Sequence, residues 1–229
     1  MNAFSKAKEG RGISSENHHL SAPTQKVLKN TYIATALGLI FACITGSFVS
    51  SPILAGAGIL ATILSLVAMF ALMFVALMRA EKPDGLLWYF GFTGVMGLFI
   101  GGTVNAVAAT HLGAVLSAAA GTAVLFLALS AYVITTKRDL NHWGGFLLVA
   151  LIALVLTSVI NIFLQSPLLM MIGSAVGAVI FSLFIMYDTS RIVNGYEKSY
   201  VRAALSMFLN IVNLFLDLLR LVLEFSSGD

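Results

Sequence analysis

Seven long apolar runs, at 31–50, 53–78, 86–107, 114–134, 146–164, 168–187 and 203–225, take up most of the chain. Each approaches or exceeds the roughly 20 residues that a helix rising 1.5 Å per residue needs to cross about 30 Å of hydrocarbon. A spanning segment has no water to satisfy its backbone, so at these lengths only helices can do so internally. Composition agrees: 59% of the 229 residues are hydrophobic and 10% are charged. A soluble domain of this size carries about 25% charged residues. That excludes a soluble enzyme, a nucleic-acid binder and a disordered regulator. The expected fold is all-α, a polytopic membrane protein with seven transmembrane helices.

About thirty polar residues precede the first run, too many for a cleaved signal peptide. Residues 1–30, with Gly10, Gly12, Ser14 and Ser15 and little that could build a core, are expected to form a flexible cytoplasmic tail whose end turns helical from Thr24. Residues 31–229 form the transmembrane domain. Pro52, Pro83 and Pro167 fall in tight connections, where a missing N–H costs little. The lone cysteine, Cys43, is expected to be a buried thiol.

Orientation follows from the basic residues. The tail holds Lys6, Lys8, Arg11, Lys26 and Lys29. The second connection holds Arg79 and Lys82, the fourth Lys137 and Arg138, and the sixth Arg191, Lys198 and Arg202. Of the 13 basic residues only Arg220 remains, and the other three connections have none. Positive loops stay inside, so the N-terminus and the even connections are cytoplasmic. The seventh run then carries the C-terminus to the far side. The net charge of +3 is therefore topological.

Glycines four apart, Gly97 with Gly101 and Gly173 with Gly177, mark places where helix backbones can approach closely. Plain packing explains them.

The seventh run differs from the rest. Ser206, Asn210, Asn213, Asp217, Arg220 and Glu224 fall within an arc of about 80° on a helix turning 100° per residue. A charge at the centre of a lipid-facing helix costs about 2.5–3.5 kcal/mol on insertion scales. The stripe must therefore face protein or water. It either glues the helix into the bundle or lines a hydrated path or protonation switch. Asp217 and Arg220, three residues apart, can pair. A second polar group, Asp188 with Tyr187 and Thr189, stands at the cytoplasmic end of the sixth run, at a depth similar to that of Asn210. Arg191 is close enough in sequence to neutralise Asp188. Asp188, Asn210, Asn213, Asp217 and Arg220 are thus the candidates for an ion pathway or pH sensor.

Metal and nucleophile chemistry find little support. His18 and His19 lie in the tail, while His111 and His142 belong to connections on opposite sides. No cluster has zinc-ligand spacing. The aspartate motif Gly-x-Gly-Asp of intramembrane proteases is missing, and the seventh run has no lysine to hold a retinal Schiff base. No enzymatic activity and no cofactor are expected.

Several stretches resemble the Bax inhibitor-1 (transmembrane Bax inhibitor motif) family, in its bacterial inner-membrane branch. They are Lys26-Val-Leu-Lys-Asn-Thr-Tyr32, Phe92-Thr-Gly94, Ser130-Ala-Tyr-Val133, Asn161-Ile-Phe-Leu-Gln165 and Tyr200-Val-Arg-Ala203. The resemblance implies six helices around a central seventh. It also implies one of two roles. Some members release calcium in a pH-dependent way through an aspartate pair between the last two helices. Here Asp188 matches the first aspartate, but the second position is Asn210, so a calcium leak loses its coupled carboxylates. Asp217, roughly 10 Å further along the axis, is too far to replace it. An arginine that locks the pair from the second span in some relatives has no counterpart, since Arg79 ends that span. Bacterial members interact with FtsH, the membrane-anchored ATP-dependent zinc protease, and restrain its attack on membrane substrates. A flexible tail suits such a partner.

Overall fold

The computed structural model describes residues 20–49 and 59–226. Among them there is no strand, and six α-helices follow in order: α1 (Ala22–Ser47), α2 (Ile59–Arg79), α3 (Gly85–Thr136), α4 (Gly144–Leu164), α5 (Pro167–Val193) and α6 (Tyr200–Ser226), with a short 3-10 turn, Asn141–Trp143, before α4. Five of the helices are long and apolar enough to cross a membrane, and α2 contributes the shorter apolar stretch Leu66–Arg79.

The described residues form six continuous helical segments against the expected seven helices, and α3 accounts for the difference. This helix has 52 residues with one non-helical residue inside, His111 at φ −134°, ψ 53°. Neither proline nor a left-handed glycine separates the third and fourth runs, so the hydrogen-bonded ladder is nearly continuous. The direction is not. Tyr89 Oη donates to Ala34 O at 3.0 Å, Thr45 Oγ1 to Gly94 O at 2.9 Å, and Asn105 Nδ2 to Val49 O at 2.8 Å. Residues 85–110 therefore run parallel to α1. A straight helix would carry residue 126 about 31 Å beyond residue 105. Instead, the Phe126 ring lies 5.4 Å from that of Tyr32, near the start of α1. Residues 112–136 thus return antiparallel to the first arm.

Local chemistry sets the ends. Ser21 caps α1 by accepting from the Thr24 amide at 3.4 Å, with a proline in the first turn. The helix thus begins at Ala22, before the expected Thr24. The tail at 1–19 and Pro52 lie outside the described residues. Ser166 caps α5 by accepting from the Leu169 amide, and Pro167 is its first residue. Gln165, in the left-handed region at φ 50°, closes α4, so α4 turns into α5 through two residues.

The tightest packing joins α1 to the first arm of α3. A Cβ on Gly97 would collide with the Ala42 carbonyl oxygen, and one on Gly101 with the Gly46 backbone. Here the expected close approach is realised. Gly173 differs, because nothing lies within 4 Å of where its Cβ would be, and Gly177 abuts the Asp217 carboxylate rather than a helix backbone. Cys43 is exposed, not buried as expected. The packed face of α1 runs through Gly38, Ala42 and Gly46, and Cys43 points away from it.

Candidate functional site

Helix α6 packs against α1, α2, α3 and α5. Half of its most apolar window is buried, against 6% for the helix carrying α4. Asn210 is 6% exposed and Asp217 7%, so neither amide nor carboxylate faces acyl chains. The leucine side is covered too, with Leu205, Val212 and Leu219 all buried. The middle of the stripe, Asn210 and Asp217, has the enclosure that burying it requires, while Arg220 towards its end is exposed.

Two separate polar stations lie along this helix. At the first, Asp188 Oδ2 accepts from Ser206 Oγ at 2.5 Å and from Asn210 Nδ2 at 2.8 Å. The carboxylate comes from the last turns of α5, and both donors come from successive turns of α6, so the cluster pins the two helices together. Beside it, Tyr32 Oη and Thr189 Oγ1 lie 3.3 Å apart and tie α1 to the same end of α5. Bonds onto an ionised carboxylate, as Asp188 receives from Ser206 and Asn210, are about twice as strong as neutral ones such as the Tyr32–Thr189 contact.

A cavity of about 280 Å³ reaches Asp188 from the basic end of the bundle. Met73 and Leu77 of α2 form one wall, and Arg191, Glu197 and Arg202 surround the opening. Arg191 does not pair with Asp188. Its Nη2 lies 3.9 Å from Glu197 Oε2, and Arg202 Nη1 lies 3.9 Å from Glu197 Oε1. Glu197 is buried and accepts from the Ser199 amide at 2.9 Å. Sequence reasoning missed Glu197, which belongs to a connection and meets its arginines through the fold, not through helical spacing. Ser206 was visible as part of the stripe, but not as a ligand of Asp188.

At the second station Arg220 Nη1 donates to Asp217 Oδ1 at 3.4 Å, the expected pair in a long form. Asp217 Oδ2 is buried without a hydrogen-bond partner. Ser174 of α5 stands beside it. Asn213 Nδ2 donates to Leu209 O of its own helix at 2.8 Å. Of the five candidate residues, the fold brings Asp188 and Asn210 into contact. It places Asn213, Asp217 and Arg220 around a different cavity.

The connections at the basic end are held by their own carboxylates. Asp84 accepts from Trp88 Nε1 at 3.0 Å and Arg79 Nη1 at 2.9 Å, and the Trp88 bond leads in holding its carboxyl below the ordinary carboxylate range. Arg79 is therefore engaged in the second connection, away from Asp188. Asp139 accepts from the Asn141 amide at 2.9 Å and from Tyr196 Oη at 2.8 Å. The amide first and the phenol second hold its carboxyl low, while the same bond holds the Tyr196 hydroxyl above its usual value. Among the described residues no group of three or more His, Cys, Asp or Glu could hold a metal ion.

Comparison with known proteins shows the family of the chain. The family profile described as inhibitor of apoptosis-promoting Bax1 matches residues 24–227. The chain belongs to the Bax inhibitor-1 family. Among its relatives, the modulator of FtsH protease YccA of Escherichia coli K12 is 39% identical over 207 residues, 90% of this chain and 93% of the relative. The inner membrane protein YccA of E. coli O6:H1 matches to the same extent. An uncharacterized membrane protein of Vibrio cholerae is 39% identical over 208 residues, 90% of this chain and 92% of the relative. The chain is a YccA-like membrane protein by sequence, as the quoted stretches imply.

Proposed function

We propose that this chain is a modulator of the membrane-anchored protease FtsH, acting in the bacterial inner membrane through lateral contacts and its N-terminal tail. The observation that carries this reading is the 39% identity, over nine-tenths of both chains, with a relative named as a modulator of that protease. In this reading the chain crosses the bilayer seven times, with the two arms of α3 as separate spans and α6 as the central helix. The antiparallel return at His111 and the enclosure of α6 support that count. The N-terminus is then cytoplasmic and the C-terminus periplasmic. ATP-dependent proteases engage unstructured segments, and the polar residues ahead of the Ser21 cap supply a segment of suitable composition.

Deleting residues 2–19, which spares the cap and α1, tests it. The full-length protein should co-purify with FtsH and slow its degradation of a membrane substrate, and the deletion should lose the inhibition. Equal binding and inhibition by both forms would take the tail out of the mechanism, and failure of the full-length protein to affect FtsH would end the proposal.

A second reading, a pH-sensitive calcium or cation leak centred on Asp188, draws on the cavity that reaches this carboxylate from the basic end. It ranks second because Asp188 faces an amide and a hydroxyl where a coupled pair needs another carboxylate. Vesicles loaded with a calcium dye should show equal flux for the wild type and Asp188→Ala from pH 6 to 8. A wild-type flux that varies with pH and disappears in the variant would reverse the order of the two readings.

A further inference from the structure

A second cavity, of about 530 Å³, lies between α4, α5 and α6. Its volume is in the range of small-molecule sites, about 300–1,000 Å³. Leu151, Leu154 and Val155 of α4 and Leu169 and Phe181 of α5 wall it with hydrocarbon, and Ser174, Asn213, Asp217 and Arg220 make its polar end. Neither role proposed above uses this cleft.

We propose that the cleft binds a primary ammonium group carried on an apolar body, with Asp217 as the principal acceptor. Asp217 is 7% exposed, its Oδ1 has only a long contact to Arg220, and its Oδ2 has no partner. A buried acceptor left unmatched costs about 1–3 kcal/mol, and more when charged, so a donor is the group that this site lacks. An ammonium brings three donors and no acceptor. Three side chains with acceptor oxygens stand at the polar end: the Asp217 carboxylate, whose Oδ2 lies against Gly177, the Ser174 hydroxyl beside it, and Asn213, whose nitrogen is already committed to Leu209 O.

Other ligand classes fit less well. Calcium takes six to eight oxygens and prefers several carboxylates, whereas this site has one carboxylate, already contacted by a guanidinium. An anion drawn to Arg220 would meet the Asp217 charge 3.4 Å away. A wholly apolar molecule would leave Oδ2 unmatched. The hydrocarbon walls require the ammonium to arrive on an apolar body. Two sources supply that chemistry, a phosphatidylethanolamine headgroup or a free hydrophobic amine.

The full chain in phosphatidylcholine nanodiscs, with n-octylammonium as the probe, decides between the outcomes, because partition into the lipid is the same for every variant. A ligand that binds only the folded protein raises its Tm by mass action. Octylammonium should raise the wild-type Tm, while octanol and octyltrimethylammonium, which lacks N–H donors, should not. Asp217→Asn should weaken the apparent affinity at least tenfold. Ser174→Ala, which leaves the Asp217–Arg220 contact intact, should weaken it severalfold and serves if the first variant does not fold. If the source is the lipid, wild-type protein in nanodiscs containing phosphatidylethanolamine will already show the raised Tm, octylammonium will add nothing, and the variants will lack the effect. Equal responses to octylammonium and octanol, or unchanged responses in both variants, would show a cleft filled by acyl chains and overturn the proposal.

Discussion

Asn210 sets an amide, not a second carboxylate, against Asp188. An amide donates to a carboxylate without competing for its proton, so the pair stabilises one charge where two aspartates would share a proton. Sequence spacing brought Asp188 and Asn210 to one depth, and the structure places them in contact. Glu197 stayed hidden because its arginine partners are set by tertiary fold. Outside the spans, Asp139 and Tyr196 allow a test of pH dependence. The Asp139 carboxyl titrates below the ordinary value, so the link is intact above that value and is lost as pH falls through the lowered one. The Tyr196 hydroxyl titrates above its ordinary value of 10.0, so the link is lost again only as pH rises through the raised one. The amide shift of Asn141, followed by NMR on acidification, should report this carboxyl. Tyr196→Phe should move the midpoint upward, and an unmoved midpoint would show that the phenol contributes nothing.

At the scale of helices, side-chain size at two glycines sets how closely α1 and α3 approach. Gly97→Ala should destabilise the protein by about 1–3 kcal/mol, the usual cost of overpacking, because its Cβ meets the Ala42 carbonyl, which cannot swing aside. Gly91→Ala, where the new Cβ meets nothing within 4 Å, should be neutral or stabilising by up to about 1 kcal/mol. Thermal unfolding in detergent, read by loss of the monodisperse peak, should separate the two. Equal Tm values would remove the close approach as a determinant. The start of α1 was expected at Thr24 and lies at Ala22, because Ser21 caps the helix and Pro23 opens it, as Ser166 and Pro167 do for α5. The break in α3 was legible only as a fall in apolarity around residues 108–113. Only His111 leaves the helical region there, so the two expected helices follow each other as two arms across a kink. Cys43 was misplaced for a related reason. In a bilayer the outside of a bundle is as apolar as its inside, and composition alone cannot tell one from the other.

For the whole molecule, the distribution of lysine and arginine predicts topology. Alkaline phosphatase fused after Asp229 should be active and a fluorescent protein there dark, while fusions within 137–140 should behave the opposite way. The same phenotype at both sites would mean that α6 does not cross, and the seven-span reading would fail. The all-helical, membrane-spanning character and the burial of Asn210 and Asp217 were legible from sequence, because hydrocarbon thickness and the cost of burying charge are strict constraints. The two cavities were not, since they depend on which side chains fail to meet.

The turns away from the basic end have one more implication. Gln165 and Ser166 alone join α4 to α5, and a single residue, His111, reverses α3. On that side these turns offer no strap or loop for a water-borne regulator to grasp. A regulator that recognises either of these two turns has to approach sideways through the lipid.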